Sequence, residues 1–292
     1  MKKYSLALFA AISCASQAQE FNIDLQVDSD GKVSPETSLP YNWNKNWYSE
    51  LRYRSLTSTT DNESKTLARS TSTLEQQYIR LNVIAYQNAK ERSSHGFAAG
   101  VEAIKINRSE FGFGPIASQT LIIDNQVDIL SARFVASGFY EFKTDYVDMH
   151  FGANLSPAGQ LYVSQQTAIE YNSSIATSHN SNSSMGVSYG ADVAATLKTG
   201  FGLDVKLSAE YLYLPLDYSL ALVNSSADAF EETDIEETQT SIRYGVKFVL
   251  PAYEDKGRPV IGFSQEKIDT EQNGNTGTET INYLIIGLSK SF

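Results

Sequence analysis

Phe201–Leu214, FGLDVKLSAEYLYL, reads as one long two-faced strand. Phe201, Leu203, Val205, Leu207, Ala209, Tyr211 and Tyr213 fall on one side of an extended chain, and Asp204, Lys206, Ser208 and Glu210 on the other. A period of two is the mark of a strand with one apolar and one polar face. A sandwich buries such strands too. This one is long enough to cross a bilayer, and its Tyr-rich end reads as an aromatic girdle. Lipid offers the backbone no hydrogen bonds, so a strand placed in it must be paired on both edges within a closed sheet.

The same alternation spreads outward from this stretch. Met185, Val187, Tyr189, Ala191, Val193, Ala195 and Leu197 oppose Ser184, Gly186, Ser188, Gly190, Asp192 and Thr196, and only Lys198-Thr199-Gly200 separates the two strands, as in a hairpin. Trp47–Thr57, Leu130–Phe142, Val147–Leu155 and Ile242–Leu250 repeat the pattern. Leu74–Gln87, Phe97–Asn107 and Pro259–Ile268 carry it more weakly, with slips at Ile104 and Ile106. Outer-membrane barrels have short periplasmic turns and longer surface loops. Asn88–Ser94, Lys143–Asp145, Lys198–Gly200 and Pro251–Arg258 are the short connections. Asp61–Ser70, Arg108–Gln126, Ser156–Asn182, Ala221–Glu237 and Thr270–Thr280 are the long ones. The expectation is an all-β, antiparallel, up-and-down transmembrane barrel of ten strands and five surface loops, with both termini periplasmic. Twelve strands are the alternative, reached by adding Leu161–Tyr171 and a short strand holding Phe21, Ile23, Leu25 and Val27.

The N-terminus reads as a secretory leader. Lys2 and Lys3 precede the apolar Leu6–Ile12, and Ser16-Gln17-Ala18 offers small residues before a cut after Ala18. A rival cut would make Cys14 the lipidated first residue of a lipoprotein, although Ala11 stands where a larger aliphatic residue is usual. The expected organisation is a leader over 1–18, a polar lead-in over 19–46 and a barrel over 47–292. Cys14 is the sole cysteine, so nothing in the mature fold depends on disulfides or thiolates. Loss of Lys2 and Lys3 takes the formal charge from −11 to −13, which argues against nucleic acid as a partner.

The chain ends with Leu284, Ile286, Leu288 and Phe292 on one face. This end resembles the C-terminal signature of outer-membrane proteins, in which the terminal aromatic residue, here Phe292, is read by the barrel-assembly machinery. Lys290 departs from that pattern, where an apolar or aromatic residue is usual. The resemblance implies the Gram-negative outer membrane as the location, with its lipid and lipopolysaccharide as surroundings.

On the expected lumen side stand Glu50, Arg52, Arg54, Arg80, Glu102, Arg133, Glu141 and Asp148, followed by His150, Asp192, Asp204, Lys206, Glu210, Arg243, Lys247 and Glu266. They read either as the lining of a narrow solute pore or as mutually paired charges filling a small barrel. The mixture of signs favours pairing, because a selective channel tends to carry an excess of one charge. His179-Asn180-Ser181-Asn182 resembles the His-x-Ser-Asn stretch of outer-membrane phospholipase A and lipid A deacylase. That resemblance implies His179 as base to a Ser181 nucleophile, but no third group to orient the histidine stands at a matching position. Asp148-x-His150 is similar to the Asp-x-His pair of the omptin proteases, yet it follows a periplasmic turn, where those catalytic groups sit at the opposite rim. The acidic run Asp228, Glu231, Glu232, Asp234, Glu236 and Glu237 offers oxygen ligands for calcium or magnesium, but its spacing matches no known loop, and a solvated face explains it as well. No motif implies a cofactor. In size the chain is similar to autotransporter translocator domains, but it carries no passenger and no helical period over Gln19–Asn46. The functional expectation is a non-enzymatic outer-membrane barrel that is either a narrow, porin-like channel or a surface scaffold with exposed loops. A solitary autotransporter-like barrel and a lipid hydrolase using His179 and Ser181 are the alternatives.

Overall fold

Strands whose two edges both need partners close on themselves, and in the computed structural model of this chain they do. The structure describes residues 20–44, 46–62, 69–87, 92–116, 119–157, 159–171, 174–180, 186–223, 230–252 and 257–291. The strands are β1 (Glu20–Asp28), β2 (Val33–Asn44), β3 (Trp47–Asn62), β4 (Arg69–Gln87), β5 (Ser93–Ile116), β6 (Gln119–Lys143) and β7 (Val147–Ser156), then β8 (Gly159–Tyr171), β9 (Ser174–Asn180), β10 (Ser188–Lys198), β11 (Asp204–Val223), β12 (Phe230–Val249), β13 (Arg258–Gln272) and β14 (Asn275–Ser291). All the pairings are antiparallel, and β1 pairs with β14 from Glu20↔Ser291 to Asp28↔Tyr283, closing the barrel.

The wall has twelve strands, because β7 with β8, and β9 with β10, each form one strand in two pieces. The near half of β6 pairs with β7 and its far half with β8. From Ala136↔Leu155 to Arg133↔Gly159 the ladder advances three residues on β6 and four on the other side, the extra residue of a β-bulge beside Pro157. The bulge reverses facing parity: Ser156 is buried inward on β7, and the buried residues beyond it are the odd-numbered Leu161 and Val163. This reversal is why Leu161–Tyr171 reads so weakly as a continuation.

The count therefore matches the twelve-strand alternative rather than ten, although the added strands differ in part from those expected. Residues 20–44, expected as a lead-in, are β1 and β2 of the wall, so the barrel begins at Glu20 and not at 47. Lys143–Asp145 stays at the end that carries the termini, because Leu161–Tyr171 extends β7 instead of adding a strand. Most of the expected surface loops are strand as well. Thr270–Thr280 turns only at Asn273-Gly274, both with positive φ (48° and 79°), the two-residue hairpin geometry that Asn-Gly favours.

β5 and β6 are 24 and 25 residues long, and β11 and β12 are each 20, about twice the 9–11 residues that cross a bilayer. The surplus is marked by a reversal of polarity. Nearest the termini, the outward residues of β12 are Phe248, Val246, Tyr244 and Ile242; beyond them come Thr240, Thr238, Glu236 and Asp234. On β4 the outward row passes from Val83, Leu81 and Ile79 to Gln77, Glu75 and Thr73. Exposed aromatics ring both borders of this apolar belt. Trp47, Tyr146 and Phe201 mark the terminal rim, while Tyr162 and Tyr189, the latter stacked on the half-buried Tyr213 with ring centres 4.8 Å apart, mark the other. The inward rows change in the opposite sense. β5 goes from Glu102 to Ile104 and Ile106, and β6 from Arg133 to Ile129 and Val127. The terminal half is thus apolar outside and polar inside, and the distal half is polar outside and apolar inside.

Among the described residues, the ladders of the distal half no longer close into a ring. β1 and β2 turn back at Asp28–Val33, and above that turn β3 pairs only with β4, and β14 only with β13. Among the described residues, β11 pairs with β10 as far as Tyr213 and beyond it with β12 alone. The upper strands therefore form two sheets, β3-β4-β5-β6-β8-β9 and β11-β12-β13-β14, packed face to face as a sandwich.

Candidate functional site: the lumen and its closure

The sandwich core is where the two sheets meet across what would otherwise be the barrel's axis. Ile104, Ile106, Val127, Ile129, Leu161 and Val163 from one sheet form a single buried cluster with Leu214, Leu216, Tyr218 and Ile235 from the other. Leu56 on β3 packs likewise against Ile268, Ile281 and Tyr283. Leu216 and Val163 are 0% exposed, so at this level the described walls meet in dry contact. Above this cluster, Arg108 on β5 crosses to Glu237 on β12 with bonds of 2.7 and 2.5 Å, and the Tyr218 hydroxyl donates to Glu237 at 2.5 Å. Burial alone would raise the Glu237 pKa, but the Arg108 hydrogen bonds and charge, with the Tyr218 hydroxyl, outweigh it and hold the carboxyl below its usual range.

Below the core lies a polar cavity of about 620 Å³, bounded above by Leu212, Leu214 and Gln239. A neighbouring chamber of about 160 Å³ shares Asn22, Glu36, Lys206 and Lys247 with it and reaches Val249, Val260 and Ser289 near the terminal rim.

The charges expected in the lumen are there, and most are paired. Arg54 donates to Glu266 at 2.5 Å, and Arg52 Nε lies 2.8 Å from Glu50. Arg133 is bonded to Glu102 and to Ser188, with Arg80 3.9 Å from the same carboxylate. His150 Nε2 is 3.0 Å from Asp192 and its Nδ1 is 3.5 Å from Glu141, with Phe139 stacked on the ring. Asp148 pairs with Lys198, and Asp204 with Arg258, at the terminal rim. Lys206 and Glu210 line the cavity. Arg243 and Lys247 pair with Glu36 and Asp24, on the two strands that the sequence reading places outside the barrel. The signal for Asp24 was present: Asn22, Asp24 and Gln26 alternate with Phe21, Ile23, Leu25 and Val27. Arg108 and Glu237 lie in segments expected as loops, where no local pattern marks them as partners.

The enzymatic and metal candidates gather less. The backbone of His179 pairs with Gln166 on β8, while Ser181, like Phe292 and residues 1–18, lies outside the described residues. Asp228 and the side chains of Glu231 and Glu232 lie outside them too. Asp234 is exposed and accepts a hydrogen bond from Ser219 at 2.8 Å. Among the described residues, no three His, Cys, Asp or Glu side chains converge as metal ligands would. The Asp148 and His150 side chains are not partnered with each other: each pairs elsewhere, near the terminal rim.

No family model matches the chain, and no curated protein does either. Among solved structures, the outer-membrane protease OmpT from Escherichia coli is similar at a TM-score of 0.48 and 9% identity, covering 94% of both chains. The translocator domain of the autotransporter NalP from Neisseria meningitidis is similar at 0.47 and 8%, covering 100% of this chain and 96% of that one. The toluene transporter TodX from P. putida is similar at 0.46 and 11%, covering 94% and 89%. All three are outer-membrane β-barrels.

Proposed function

We propose that this protein is an integral outer-membrane barrel that stands closed, and that its distal β-sandwich is a surface scaffold offered to partners outside the cell. The observation that carries this reading is the contact of Leu214 and Leu216 with the opposing sheet across the axis, which closes the lumen between the described walls. The belt bounded by Trp47, Tyr146 and Phe201 on one side and Tyr162, Tyr189 and Tyr213 on the other matches a bilayer and its two interfaces. The short connections and both termini then face the periplasm. The polar outer face of the distal half would stand among lipopolysaccharide and in the external medium.

On this reading the lumen charges hold the wall together and select no solute. The protein is read as non-enzymatic, so Ser181→Ala would leave any lipid release by the purified protein unchanged.

The deciding experiment is planar-bilayer conductance of the refolded chain after heat-modifiable gel migration confirms its assembly. A silent bilayer is expected. Steady openings, shifting in selectivity when Arg133 or Arg243 is neutralised, would replace this reading with that of a standing channel.

A further inference from the structure

Among the described residues, the two distal sheets are held to each other by side chains. On one seam, β3 beyond Arg54 and β14 before Tyr283 have no ladder between them. On the other, no ladder among the described residues joins β11 beyond Tyr213 to β9, and Pro215 at the foot of that seam has no N–H to offer. Separating two walls of a continuous barrel would break rows of backbone hydrogen bonds, each costly to leave unmade. Among the described residues, separation here breaks none. What resists it, among the described residues, includes the two apolar clusters, the Arg54–Glu266 pair at the root of one seam and, farthest out, the buried Glu237 gripped from the opposite sheet by Arg108. Directly beneath is a polar cavity of about 620 Å³, lined by charges of both signs.

We propose that the distal sandwich is a gate: its two sheets part along these unladdered seams, joining the lumen cavity to the outside for small hydrophilic solutes, and the Arg108–Glu237 pair is the latch. The step goes beyond the closed barrel proposed above, which stands whether or not the gate opens. Packed interfaces change by switching between discrete arrangements, and two sheets whose described ladders join at their roots have a hinge available in the barrel below. Mixed charge in the cavity implies weak selectivity between cations and anions.

The test is single-channel recording on the full chain, refolded and heat-modifiable. Leu216→Asp sets a carboxylate into the apolar cluster between the sheets, and Ile129→Ser, on the facing sheet, is read in the same way should Leu216→Asp fail to assemble. Steady openings are expected where the wild type is silent, with Glu237→Gln raising open probability by about tenfold, a modest loss of holding energy. The second measurement uses Arg108→Cys with Glu237→Cys in a Cys14→Ser background carrying Leu216→Asp. A reducible reagent long enough to bridge two thiols should silence the openings, and reductant should restore them. Assembled Leu216→Asp and Ile129→Ser proteins as silent as the wild type would overturn the gate and leave the closed scaffold standing. So would openings that bridging between the sheets does not affect. Steady wild-type openings would overturn both readings.

Discussion

Arg108 Nη1 and Nη2 reach Glu237 Oε2 and Oε1 at 2.7 and 2.5 Å, pairing residues 129 apart in the chain and joining the two distal sheets in a two-pronged ion pair. The carboxylate is fully buried, whereas the guanidinium side chain keeps 29% of its exposure. Removing the partner of a buried charge strands it. Arg108→Ala should therefore cost the distal half about 3–5 kcal/mol, and Glu237→Gln less, because Arg108 can turn toward water. Amide hydrogen exchange should show the loss in β5, β11 and β12 beyond the aromatic border. Equal loss in the membrane-facing ladders would contradict a separately stabilised distal half.

The same carboxylate sets an acid limit. The groups facing Glu237 are Arg108 from β5, Tyr218 from β11 and the uncharged Gln272 from β13. Its pKa is lowered on folding, so its contribution is complete above the ordinary carboxylate value of about 4.3 and is lost as pH falls through the lower folded value. Distal protection should hold from neutral pH down to about 4 and weaken below it, and Glu237→Gln should remove that component. Weakening centred near neutral pH instead would mean that a different group controls the closure.

Inverted polarity makes position on the strand decisive for an apolar residue. Ile106→Ala, in the sandwich core, should destabilise the distal half by about 2–5 kcal/mol. A charge in the belt behaves differently: Phe134→Arg, outward at 73% exposure, should cost about 2–4 kcal/mol in lipid. Asp128→Arg, outward on the same strand beyond the aromatic border, should cost almost nothing. Denaturant titration in vesicles separates the three. A similar penalty at positions 134 and 128 would place the bilayer border elsewhere.

Within the lumen, burial ranks the ion pairs. Glu102 is 3% exposed and serves Arg133 and Arg80 together. Glu102→Ala should cost about 3–5 kcal/mol. At the terminal rim Lys198 and Asp148 keep 37% and 30% of their side-chain exposure, and Lys198→Ala should fall within about 1 kcal/mol. Heat-modifiable migration at graded temperature gives the order, and a reversed order would mean that Lys198 carries packing its exposure hides.

Much of the barrel was legible because period two is local. Phe201–Leu214 shows its own two faces, and so do Leu130–Phe142 and Val147–Leu155, so the outward and inward rows of the membrane half follow from the residues themselves. The slip at Ile104 and Ile106 was visible too, but as a fault in a strand. It is a continuing strand whose surroundings change from lipid to water, so the correct polarity of each face reverses. The Ser156–Asn182 stretch was harder, because the bulge beside Pro157 shifts the parity that any reading of alternation relies on.

From its sequence alone, then, this chain is an antiparallel barrel with its termini at the short-turn end, since hydrophobic period, turn residues and the C-terminal row are each properties of neighbouring positions. The twelve-strand closure, the division of the distal half into two sheets and the pairing of Arg108 with Glu237 belong to the tertiary structure. Each depends on which distant strands share a register and on where β1 and β2 stop short, and no local pattern carries that information.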